Sequence, residues 1–205
     1  MIKITQQHLE HARIPLKYWG AYLKHVPDNM EYKPDLKTYL AHMEQFVQKG
    51  VGLYLWSPEN STGKTSIGVI TLKRAMNLGL SAMYLTAEEY KEALINKELF
   101  TDNQTLHQRA LDVDVLLMDD IGKEYKTKTT NFAETKIEAL LRARVQSMKP
   151  TVFTGNRHPK ELKDIYTKDL AELLRESMKP LLVTGMNWRA EKEKEINAMF
   201  KELGD

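Results

Sequence analysis

Five short apolar runs separated by stretches with helical spacing restrict the folds open to this chain. The runs are Val51 to Trp56, Ser81 to Thr86, Val113 to Met118, Thr151 to Thr154 and Leu181 to Thr184, and each reads as a strand. Between them, segments such as Thr65 to Leu78 and Phe132 to Met148 carry helical periodicity; in the second, Ile137, Leu140, Leu141 and Val145 form one stripe. Strand and helix in alternation predict an α/β fold with a parallel sheet, because parallel neighbours need long crossovers. The runs are almost continuously apolar, as strands covered on both faces must be. With 205 residues, the chain is long enough to bury a core without disulfide or metal staples.

Composition removes several chemistries. There is no cysteine, which excludes thiolate metal sites, thiol nucleophiles and iron–sulfur clusters. No run approaches the eighteen or so apolar residues of a membrane span, and Met1 to Arg13 lacks a signal-peptide core, so the expectation is a cytoplasmic protein without membrane contact. The formal net charge of +2 is too small for a whole-molecule field that would attract nucleic acid, so any such contact needs a local patch. His8, His11, His25 and His42 precede the first strand, but their spacing matches no metal motif.

The phosphate-binding signal lies directly after the first strand, in Ser57-Pro58-Glu59-Asn60-Ser61-Thr62-Gly63-Lys64-Thr65-Ser66. A P-loop needs backbone N–H groups converging on phosphates, a lysine for the outer phosphates, a hydroxyl for magnesium and a helix N-terminus that favours anions. Residues Asn60 to Ser66, with Lys64 and Thr65 at their centre, are therefore the candidate ATP-binding set. Pro58 replaces the usual first glycine and Ser61 a later one; proline offers no N–H. Taken alone, Thr62 to Thr65 reads equally well as a surface turn. The strand before it and the helix after it favour the phosphate reading.

A second element strengthens that choice. Val115 to Met118 is a buried strand pattern ending in Asp119 and Asp120. At the end of such a strand Asp119 is placed to hold Mg2+, with Thr65, and Asp120 to orient an attacking water. Asn156, after Thr151 to Gly155, is a candidate for contacting that water or the γ-phosphate.

With these elements in order, the chain resembles the DnaC/DnaI-type replicative helicase loaders of bacteria and their phages, which are AAA+ ATPases. The resemblance covers roughly residues 13 to 190 and includes Ile14 to Trp19, Leu117 to Glu124, Lys149 to Asn156 and Thr184 to Arg189. It implies a P-loop NTPase sheet in the order 5-1-4-3-2, ATP with Mg2+, assembly as a homo-oligomer and an arginine finger acting on a neighbouring copy. Arg175 is the finger candidate; Arg189 is a candidate for sensing the γ-phosphate within its own chain. The implied partners are a replicative DNA helicase and single-stranded DNA, and the implied activity is slow ATP hydrolysis stimulated on assembly. Related alternatives are an IstB-type transposition helper and a non-hydrolysing nucleotide-binding adaptor. A small nucleotide kinase fits less well, because its loop would lie near residue ten.

From Lys123 to Lys149 seven basic residues face three acids, a local balance of +4. Lys123, Tyr125, Lys126 and Lys128 are the candidates for strand contact, combining phosphate attraction with stacking. A second candidate surface is the crossover from Thr86 to Leu111, with Lys91, Lys97 and Arg109. The expected organisation is a helical lead-in over 1–50, an ATPase core over 51–188 and a C-terminal helix over 189–205. The lead-in includes one helix from Asp35 to Lys49. The terminal helix carries Ile196, Met199, Phe200 and Leu203 on one stripe, which either packs on the core or docks a partner.

Overall fold

A computed structural model describes residues 2–95, 100–122, 131–164, 166–185 and 188–204. The strands are β1 (Gly52–Trp56), β2 (Ala82–Thr86), β3 (Val115–Ile121), β4 (Thr151–Gly155) and β5 (Met178–Leu182). All pairings are parallel and the order is β2-β3-β4-β1-β5, which is 5-1-4-3-2 counted from the other edge.

The helices are α1 (Gln6–His11), α2 (Lys33–Ala41), α3 (Met43–Gln48), α4 (Lys64–Asn77), α5 (Ala87–Ile95), α6 (Phe100–Asp112), α7 (Asn131–Gln146), α8 (Lys168–Glu176) and α9 (Trp188–Gly204). Alternate strand residues feed two cores. Leu53, Leu55, Val115, Leu117 and Val152 pack with α4 and the N-terminal segment. Tyr54, Leu116, Met118 and Phe153 pack with α5 to α8. Burial on both faces explains the continuous apolar runs; each fully buried leucine contributes about 1.5–3 kcal/mol. Helix α4 lies very close to the sheet, because a Cβ at Gly68 would stand 2.7 Å from the Leu117 side chain.

Two expectations need correction. The helix expected over Asp35 to Lys49 breaks at His42 (φ −108°, ψ 26°) into α2 and α3, although Leu36, Leu40 and Met43 still face the core. The fifth strand begins at Met178, three residues before the apolar run. It pairs only with β1, and an edge strand tolerates Lys179 and Pro180, which hide it from a search for apolar runs. Of the two placements open to the apolar stripe of α9, the described side chains Ile196, Met199 and Phe200 lie outside the core, Phe200 being 75% exposed.

Candidate functional site

The C-terminal ends of β1, β3 and β4 lie side by side, and the loops leaving them bring most of the candidate residues together. In parallel α/β sheets this edge is where ligands bind. The loop after β1 ends at Gly63, whose φ of +93° suits glycine, and α4 starts at Lys64. Among the described residues the N-cap Gly63 offers no side-chain cap to this helix. Ser61 also sits in the left-handed region (φ 65°), where a side chain is unfavourable. Lys64 is buried, and its ammonium donates to the Glu59 carbonyl at 2.8 Å.

Asp119 is the centre of the cluster. Its carboxylate accepts from Thr65 Oγ1 at 2.9 and 3.2 Å, from the Tyr84 hydroxyl at 2.8 Å and from Thr154 Oγ1 at 2.5 Å. Burial raises the Asp119 carboxyl above its usual value and the neighbouring Asp120 adds to this, while the hydroxyl donors, Thr154 foremost, pull it back. Burial, followed by the charge of Asp119, pushes the Tyr84 phenol upward, so Tyr84 remains a donor. Asp120 has a φ of +60° within a β-bulge between Met118 and Ile121, and its N–H donates to Thr154 Oγ1 at 2.8 Å. A bulge of this kind re-aims side chains at a strand end.

Asn156 reaches the phosphate loop, donating from Nδ2 to Asn60 Oδ1 at 2.9 Å. Its own Oδ1, like the buried Thr62 hydroxyl, has no hydrogen-bond partner among the described residues. Unpaired buried polar atoms are uncommon and ask for a ligand, a water or an ion. The donor set also suits the expected groups. A lysine ammonium and uncapped helix N–H groups fit a phosphate anion, and a hydroxyl beside a carboxylate fits a small hard cation such as Mg2+.

A cavity of about 260 Å3 opens beside the loop, lined among others by Tyr22, His25, Tyr32, Gly63, Ile67 and Trp188. The Trp188 N–H donates to the Ser61 carbonyl at 3.1 Å, and its indole nitrogen lies 2.9 Å from where a Gly63 Cβ would be. Sequence reasoning missed this wall, as it missed Tyr84 and Thr154. The aromatic residues scattered through the first fifty positions were the available signal for the cavity.

Arg175 is exposed in the last turn of α8, and among the described residues no hydrogen bond or ion pair joins it to the cluster. Lys123, Tyr125, Lys126 and Lys128, together with Lys97 and the side chain of Arg189, lie outside the described residues. The basic tally was partly misleading. Arg144 is fully buried, Lys149 donates to the Leu111 and Asp112 carbonyls, Lys91 is buried, and Arg109 donates to the His11 carbonyl at 2.7 Å. Among the described residues no group of three or more His, Asp or Glu side chains forms a metal cluster, and no helix is long and apolar enough to cross a membrane.

Comparison with known proteins places this geometry. The profile of the bacterial DnaA ATPase domain matches residues 53–176, from β1 to the end of α8. The chain belongs to this family. A curated relative, the replicative helicase loader DnaI of Bacillus subtilis (strain 168), is 31% identical over 143 residues, which are 65% of this chain and 44% of that protein. The chain therefore matches less than half the length of that relative. Among solved structures, the DnaC helicase loader superposes with a TM-score of 0.70 at 19% identity, covering 83% of this chain and all of that one. DnaI gives 0.69 at 21%, covering 85% and 93%. A DnaA replication initiator bound to AMPPCP and single-stranded DNA gives 0.64 at 18%, covering 89% and 56%. The fold is that of a P-loop AAA+ domain.

Proposed function

We propose that this chain is an ATP-driven loader that delivers a replicative DNA helicase to single-stranded DNA in the cytoplasm, assembling with further copies of itself as it does so. The observation that carries the reading is the Thr65 hydroxyl resting 2.9 Å from Asp119, immediately after Lys64 and at the foot of an uncapped helix. Likeness to DnaI supports the loader role.

In this reading the N–H groups at Gly63 to Ser66 and the Lys64 ammonium bind the β- and γ-phosphates, and Asn60 to Thr62 shape the loop. On nucleotide binding Lys64 exchanges a neutral carbonyl for a charged oxygen, a stronger hydrogen bond. Thr65 and Asp119 hold Mg2+, which neutralises charge on the triphosphate when bound. Asp120 takes the proton of the attacking water and Asn156 orients that water. The cavity between Tyr22, His25 and Trp188 takes the base. Arg175, in the last turn of α8, acts on the nucleotide of a neighbouring copy, so an isolated subunit hydrolyses slowly. Lys123, Tyr125, Lys126 and Lys128 contact the DNA strand.

The test is binding of a fluorescent ATP analogue with Mg2+ and with EDTA, to the wild type and to Lys64→Ala. Loss of charge-assisted bonds to phosphate predicts affinity lower by roughly 10- to 150-fold in the variant. Co-purification with a hexameric helicase and stimulation of hydrolysis by single-stranded DNA should accompany tight binding by the wild type. Equal affinities for the two proteins would refute the phosphate site, and tight binding without helicase capture would refute the loader role.

A further inference from the structure

Three hydroxyls surround Asp119, and only Thr65 belongs to the phosphate loop. Tyr84 and Thr154 come from β2 and β4, the two strands that flank β3, and both are buried. The register explains the reach of Tyr84. Thr86 pairs with Asp119, and Tyr84, two residues earlier on the same face of β2, extends its ring along the strand to meet Oδ2. Thr154 meets Oδ1 and simultaneously accepts the Asp120 N–H. Each carboxylate oxygen thus has one donor fixed by the sheet, and Thr65 bridges both from the loop side.

These donors are not equivalent. Thr65 is shared between the two oxygens and sits on the loop side, where its lone pairs would also meet a bound cation. Thr154 on Oδ1 and Tyr84 on Oδ2 are the donors held by the sheet alone. A phenol on a ring locked in the core locates its hydroxyl through two side-chain torsions, which makes it a stiff reference point.

We propose that Tyr84 is a positioning residue for metal-bound nucleotide: its phenol holds Oδ2 of Asp119 so that the carboxylate keeps its edge toward Thr65 and the divalent ion. The proposal rests on the reading of Thr65 and Asp119 as the pair that holds Mg2+. It adds a residue that touches neither nucleotide nor metal, contributed by a strand outside the phosphate loop.

The decisive quantity is the ratio of affinities for a fluorescent ATP analogue in Mg2+ and in EDTA. One hydrogen bond to a charged group is worth roughly 10- to 150-fold in full, and because Tyr84→Phe removes it from the metal-free protein as well, the part felt in this ratio should be a drop of roughly three- to tenfold. Tyr84→Leu, which removes the ring as well, should lower the ratio by the same factor while also reducing thermal stability. A role confined to packing would leave the ratio within twofold of wild type in Tyr84→Phe, and that result overturns the proposal. Should the wild type itself show no Mg2+-dependent gain, the metal site fails and this inference falls with it; the two failures are thus told apart by the wild-type control.

Discussion

Replacing Arg144 with methionine should destabilise the protein by about 3–5 kcal/mol, although the residue lies away from the nucleotide cluster. The guanidinium is fully buried in α7 and, among the described residues, pairs with no carboxylate. It donates to the carbonyls of Ala110 at 2.7 Å, Val113 at 2.9 Å and Pro150 at 2.8 Å, and to Thr151 Oγ1 at 3.0 Å. One side chain therefore joins the end of α6 to the starts of β3 and β4. Burial brings its ordinary value down to about 10, so it stays charged at neutral pH. Three short bonds from a charged donor are worth about 1.5–3 kcal/mol each. Methionine forfeits them but recovers several kcal/mol of desolvation, and the remainder is the about 3–5 kcal/mol typical of breaking a buried charged network. With an m-value of about 2 kcal/mol/M, the urea midpoint followed by tryptophan fluorescence should fall by about 1.5–2.5 M. Lysine, with one donor nitrogen instead of three, should fall between. A loss under about 1 kcal/mol for Arg144→Met would refute the view that this arginine ties the two strands.

Two further outcomes follow from the geometry. Asp119→Asn should stabilise the ligand-free protein at pH 7–8 by about 0.5–2 kcal/mol, as relieving a costly functional group often does. The sign comes from the raised folded-state carboxyl: its stabilising contribution is present below the unfolded value and is lost as pH rises through the folded one, so the advantage of asparagine should shrink toward acid pH. Chemical denaturation at pH 4 and pH 8 measures this, and an advantage that grows toward pH 4 contradicts it. Ser61→Gly should raise stability by about 1 kcal/mol in thermal melts by relieving a left-handed serine, and an unchanged midpoint would show that the loop relaxes around it.

The elements legible in the sequence were those whose physics is local. Strands β1 to β4 announced themselves because both faces are buried. Strand β5 showed only its end, Leu181 and Leu182, since an edge strand exposed at Lys179 and Pro180 accepts lysine and proline. The helix break at His42 left no proline or glycine behind, so periodicity ran straight through it. Within the candidate site, the meeting of Thr65 with Asp119 could be anticipated because a hydroxyl at the start of the helix after β1 and an acid at the end of β3 lie on the same edge of a parallel sheet. Tyr84 and Thr154 were hidden because their roles depend on which strands become neighbours, and that is a property of topology. Arg144 shows the opposite error: a charge counted toward the surface is the most deeply buried cation among the described residues.

The backbone link between Trp188 and Ser61 gives α9 mechanical leverage. The helix leaves the phosphate loop as a stiff rod, and Phe200 lies twelve residues along it, about 18 Å at 1.5 Å per residue. A tilt of about 10° at the Trp188 end sweeps Phe200 through about 3 Å, roughly the width of a methyl group. An adjustment beside Gly63 that tilted the helix by that amount would therefore move Met199 and Phe200 much further than Trp188 itself.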